Sequence, residues 1–102
     1  MHKLKNESDF DVDKGFFAVK FEATWCMPCK SYTPIINKLD DEFDDVSFIT
    51  VDIDVVPELA QRFKVKTLPT LILIKDGDEV DRILGKSKIT PVRSKLKKLS
   101  NV

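Results

Sequence analysis

The sequence predicts an α/β fold built on a single sheet, and three observations carry that reading. Strand-like and helix-like stretches alternate along the chain. "FFAVKFEA" (Phe16 to Ala23) is β-rich and apolar enough to be a central strand covered on both faces. "DGD" between "TLILIK" and "EVDRIL" carries the Asp-Gly turn signal of a hairpin, which adds antiparallel strands. The expected order is βαβαβαββα, a mixed sheet of about five strands flanked by about four helices.

The opening residues suit a short strand around Lys3 to Lys5 and a helical turn near Ser8 to Val12. From Cys26 to Phe43, Tyr32, Ile35, Ile36, Leu39 and Phe43 recur at spacings of three and four, which is helical, and Pro34 inside that helix should kink it. "VSFITVDID" (Val46 to Asp54) reads as a strand, and "VPELAQRF" (Val56 to Phe63) as a short helix with Pro57 in its first turn. The last helix is expected to begin with Thr90 as N-cap and Pro91 as first helical residue, burying Val92, Leu96 and Leu99.

At 102 residues the chain suits one domain, residues 1–102. Its 42% hydrophobic and 33% charged residues are those of a globular protein and argue against disorder. Charge is balanced, Lys+Arg 17 against Asp+Glu 17, so no basic field marks a nucleic-acid or anionic-membrane partner. No apolar run approaches the roughly 18 residues of a membrane helix. "MHKLKNESDF" has a basic start without an apolar core, which is not the pattern of a secretory signal, so a cytoplasmic location is the expectation.

Chemistry concentrates in "KFEATWCMPCK", residues 20 to 30, which holds both cysteines of the chain. One Cys-x-x-Cys has the wrong spacing for a disulfide framework stapling a small secreted domain. Disulfide exchange needs a thiolate, and a helix N-terminus favours one through its unpaired N–H groups and dipole. Cys26 falls where strand and loop pass into the long helix, and Cys29 follows on the same helix face. Cys26 is expected exposed at the helix tip and Cys29 shielded, which makes Cys26 the attacking and Cys29 the resolving thiol.

With "WCMPCK" after a strand, "TLPT" (Thr67 to Thr70), the "KDGDEV" hairpin and Pro34 in the long helix, nearly the whole chain resembles the thioredoxin family. Met27 stands where that family usually has glycine. The resemblance implies the thioredoxin fold and protein-disulfide reduction, with Pro69 cis and facing the cysteines. It implies a docking rim of Trp25, Met27, Pro28, Leu68, Pro69, Thr70, Leu84 and Gly85. The partners implied are disulfide-containing proteins and a thioredoxin reductase or equivalent electron donor. No bound cofactor is implied, and a monomer is expected.

The chain departs from the family in the strand before the cysteines. Lys20 occupies the position of a buried aspartate that helps deprotonate the resolving cysteine. Thr50 occupies that of its partner lysine, and Glu22 that of a tryptophan. Alternate strand residues share a face, with Cα atoms roughly 6–7 Å apart. One reading makes Lys20 and Glu22 an ion pair, with Glu22 taking the proton of Cys29. The plainer and preferred reading is that both side chains reach solvent and bury only their stems.

Three rivals are weighed against reduction. Structural zinc usually takes four ligands, and beyond the two cysteines there is only His2, so no metal is expected. A non-catalytic scaffold for a partner enzyme could use the same apolar rim. A more oxidising oxidase or isomerase would keep the cysteines and change the direction of exchange. The phenylalanines and Tyr32 read as packing, and Asp52 and Asp54 as loop or cap residues.

Overall fold

The computed structural model describes residues 1–100. Five strands, β1 (His2–Leu4), β2 (Phe16–Glu22), β3 (Val46–Asp52), β4 (Thr70–Lys75) and β5 (Asp78–Leu84), form one sheet in the order β1-β3-β2-β4-β5. β1 and β2 run parallel to β3, whereas β4 runs antiparallel to both β2 and β5. The sheet is thus mixed, with β2 at its centre. The helices are α1 (Met27–Glu42), α2 (Pro57–Arg62) and α3 (Ile89–Ser100).

Strand periodicity sorts the two faces. Phe16 and Ala18 of β2 point toward Tyr32, Ile36 and Leu39 of α1 and Val92 and Leu96 of α3. Val19 and Phe21 point the other way, into a cluster with Leu59 of α2, Val51, Ile72 and Ile74. Because both faces are covered, β2 reads as a nearly unbroken apolar run. The β4–β5 hairpin turns on Asp76 (φ 50°) and Gly77 (φ 89°), the doubly positive geometry that the Asp-Gly signal predicts.

Two expectations change. The opening helical turn is a 3-10 turn at Glu7–Asp9, which leaves three α-helices. The chain then extends at Phe10, and Val12 is buried with the α2-side cluster rather than wound into a turn. Thr90 is not an N-cap, because α3 begins at Ile89, whose side chain packs against the core. Pro91 still lies in the first turn, where its missing N–H costs nothing. α1 runs unbroken through Pro34.

Tyr32 is fully buried, and its hydroxyl has no hydrogen-bond partner among the described residues. Burial pushes this phenol up to about 12. Tyr32→Phe removes the orphaned hydroxyl and is expected to stabilise the fold by about 1 kcal/mol at neutral pH. In the unfolded chain the phenol ionises near pH 10. Between about pH 10 and 12 the unfolded chain therefore loses a proton that the folded chain keeps, and the wild type loses stability as pH rises. Tyr32→Phe escapes that loss. Urea unfolding of both chains at pH 8 and 11 tests this, and an unchanged difference between the two pH values would refute it.

Candidate active site

At the end of β2 the chain leaves the sheet through Ala23, and the Cys26 N–H donates to the Ala23 carbonyl (3.2 Å). Cys26 is the N-cap of α1, and its Sγ accepts the Cys29 N–H at 3.2 Å. Pro28 fits the first turn because it lacks an N–H that would otherwise go unpaired. Cys26 and Cys29 form a disulfide, with Cα atoms 5.3 Å apart. Both sulfurs therefore sit at the positive end of α1, where a thiolate is favoured.

Cys26 is not the open helix tip that was expected: it is only 6% exposed, against 1% for Cys29. Its side chain packs with Ala23 and Cys29, flanked by Ile53 and Leu68. The exposed parts of the motif are its neighbours Trp25 (64%) and Met27 (69%). The surface over Cys26 is thus a wall of exposed side chains rather than an open tip.

That wall is one side of a groove of about 600 Å³ lined by Trp25, Cys26, Met27, Pro28, Ile53, Val65, Lys66 and Leu68. Four residues of the expected rim line it, Trp25, Met27, Pro28 and Leu68. Ile53, Val65 and Lys66 were not foreseen, since only the fold brings the ends of β3 and α2 opposite the cysteines. The Leu68–Pro69 peptide is cis, and Pro69 is buried whereas Leu68 is half-buried. The other rim residues stand apart. Thr70 is fully buried, and its hydroxyl donates to the Thr67 carbonyl, so its side chain offers nothing to a substrate. Gly85 donates its N–H to the Pro69 carbonyl (2.8 Å) with φ 76°, a conformation that favours glycine. Leu84, 64% exposed, and Gly85 flank the proline on the β5 side and do not line the groove.

Asp54 is a partner of Trp25 that the sequence did not disclose. Trp25 donates its indole Nε1–H to the Asp54 carboxylate (2.9 Å), and the Asp54 N–H donates to Asp52 Oδ1 (2.9 Å). The exposed indole is held in place by a loop 29 residues away in sequence.

Lys20 and Glu22 do form an ion pair, Nζ to Oε1 2.7 Å. The plainer reading fails for Lys20, whose side chain is fully buried, while that of Glu22 is 21% exposed. Lys20 Nζ also donates to the Cys29 carbonyl (2.9 Å) and to Thr33 Oγ1 (2.8 Å). An ammonium has three N–H donors, and here each has an acceptor, which offsets the cost of burying the charge. Lys20 does not reach solvent because α1 lies over it. Thr50, beside Lys20 across the β2–β3 pairing, is buried and its hydroxyl has no partner among the described residues. Glu22 and Cys29 border a second cavity of about 300 Å³, with Thr24, Lys30 and Thr33 around it.

Comparison with known proteins gives a consistent result. The family model described as Thioredoxin matches residues 2–98. Over 88 residues the chain is 42% identical to Thioredoxin-2 of Pyricularia oryzae, covering 83% of this chain and 52% of that protein. It is 41% identical over 88 residues to Thioredoxin-2 of Saccharomyces cerevisiae, covering 81% of this chain and 84% of that protein. The chain spans about half the length of the Pyricularia oryzae protein and of Thioredoxin H2 of Arabidopsis thaliana. Among solved structures, the thioredoxin of Fasciola hepatica superposes with a TM-score of 0.87 at 35% identity, covering 96% of this chain and 98% of that one.

Proposed function

The chain belongs to the thioredoxin family, and from that premise we propose that it reduces disulfides of other proteins by dithiol–disulfide exchange. The observation that carries this reading is the Cys26–Cys29 disulfide at the start of α1, opening onto an apolar groove beside a cis proline. An extended segment lies in the groove, its disulfide beside Cys26. The Cys26 thiolate attacks one substrate sulfur, the substrate S–S bond breaks, and the second substrate sulfur leaves with the electron pair as thiolate. Cys29 passes its proton to the departed substrate thiolate, directly or through water, and as thiolate then attacks Cys26 Sγ. The Cys26–Cys29 bond forms, and the first substrate sulfur leaves as thiolate. Two electrons have passed to the substrate, and a thioredoxin reductase or an equivalent dithiol donor returns them to the chain.

Trp25, Met27, Pro28 and Leu68 supply the apolar contact, and Ile53 and Val65 the opposite wall. Asp54 fixes the indole, so the wall is formed before a substrate arrives, which lowers the ordering cost of docking. We place the chain in the cytoplasm, because a dithiol reductant works where thiols are kept reduced.

The test supplies the reduced chain to a protein carrying an accessible disulfide, with a small dithiol as electron source, and follows the thiols released. Stoichiometric amounts of chain should release two thiols per disulfide, and catalytic amounts should accelerate the dithiol. A Cys26→Ser, Cys29→Ser double variant that accelerates equally well would sink the proposal.

A further inference from the structure

The exchange just described assigns no step to the Lys20–Glu22 pair, yet the pair contacts the turn that carries the resolving cysteine. The ammonium is fully buried and donates directly to Cys29's own carbonyl (2.9 Å) and to Thr33 Oγ1 one turn on (2.8 Å). Its counter-charge is placed differently. The Glu22 side chain is 21% exposed and lies on the cavity that Cys29 also borders. Solvent screens a partly exposed charge more than a buried one. The two charges therefore cancel incompletely at Cys29, leaving an excess of positive potential. Lys30, also on that cavity, is exposed and adds to the same sign.

We propose that Lys20 is a positioning residue that favours the reduced form of the Cys26–Cys29 couple, with Glu22 as a counterweight that limits the effect. This rests on the disulfide-exchange reading of the same site. When an external dithiol reduces the chain, two electrons pass to the Cys26–Cys29 bond, the bond breaks, and the donor becomes a disulfide. Of the donor's two protons, one stays on a cysteine of the chain. The other is released to solvent whenever the second sulfur remains a thiolate. A cation held against the Cys29 turn stabilises that thiolate and draws the equilibrium toward the dithiol. The ion pair thus sets how readily the chain gives up its electrons.

The prediction is a pair of opposite shifts. Glu22→Gln leaves Lys20 without its counter-charge and should move the equilibrium constant against a reference dithiol about three- to tenfold toward the reduced form. Lys20→Met keeps the bulk, removes the charge, and should move it about three- to tenfold toward the disulfide. A tenfold change in a two-electron couple is about 30 mV. Thermal melts monitored by circular dichroism report whether each variant folds. If Lys20→Met fails to fold, Glu22→Gln and Thr33→Val carry the test: Thr33→Val removes one acceptor from Lys20, keeps its charge, and should shift the constant less than twofold.

Shifts of Glu22→Gln and Lys20→Met in the same direction would mean a packing effect and overturn the proposal. So would no shift in Glu22→Gln. Either result leaves the reductase reading intact provided the wild type still releases substrate thiols. A wild type that releases none, with a normally titrating couple, would remove the reductase reading instead.

Discussion

Cys29→Ser is expected to abolish turnover while leaving the first half of the exchange intact, so that the protein accumulates as a covalent complex with its substrate. Cys29 is 1% exposed and packs with Cys26 and Ala23, and serine occupies nearly the same volume without moving them. The capping bond from residue 29 to Cys26 Sγ uses the backbone N–H and survives the change. Cys26 therefore keeps its place at the helix N-terminus and still attacks. The mixed disulfide that results has no internal thiolate to resolve it. Mass spectrometry without reductant should find one substrate chain per protein, released by added dithiol. Cys26→Ser should give no such adduct. A Cys29→Ser protein that turns over at the wild-type rate would reverse the assignment of the two thiols.

Phe21→Ala is expected to give the largest loss of stability, about 3–5 kcal/mol. Phe21 lies in β2 between β3 and β4, fully buried, with its ring 6.0 Å from that of Phe63. Its removal leaves a cavity on the α2 side of the sheet, where Leu59, Val51 and Ile72 are also fully buried. A domain of this size has roughly 5–15 kcal/mol to lose, and each kcal/mol lowers the melting temperature by about 4–8 °C. A fall of about 12 °C or more is therefore expected. Val80→Ala, at a position 42% exposed, should change stability by no more than about 0.5 kcal/mol. Equal melting temperatures for the two variants would contradict this account of the core.

The comparison of expectation with structure divides along a physical line. Features set by local sequence were legible. The β-rich apolar runs of β2 and β3, the paired runs around Asp-Gly and the three-and-four spacing in α1 and α3 placed β2 to β5 and, with Pro57 marking α2, all three α-helices, because burial leaves its own pattern in each element. The Asp-Gly hairpin was legible for the same reason, its backbone geometry being a property of two adjacent residues. So was the Cys-x-x-Cys at the junction of strand and helix, where the motif and the helix start coincide.

What the sequence left open depended on which element lies over which. Whether Lys20 reaches water or stays buried cannot be decided from β2 alone; it is decided by α1, which brings the Cys29 carbonyl and Thr33 within 2.9 and 2.8 Å of its ammonium. Thr70 belonged to the expected rim by its place in "TLPT", yet its position on β4, opposite Phe21, turns it inward. The far wall of the groove, Ile53 and Val65, and the Asp54 that holds Trp25, come from segments remote in the chain. The sequence by itself determined the order of elements, the paired cysteines and the family. Only the tertiary structure decided the charge environment of Cys29 and the shape of the groove beside Cys26, because burial and hydrogen-bond partners are properties of packed elements and not of any one of them.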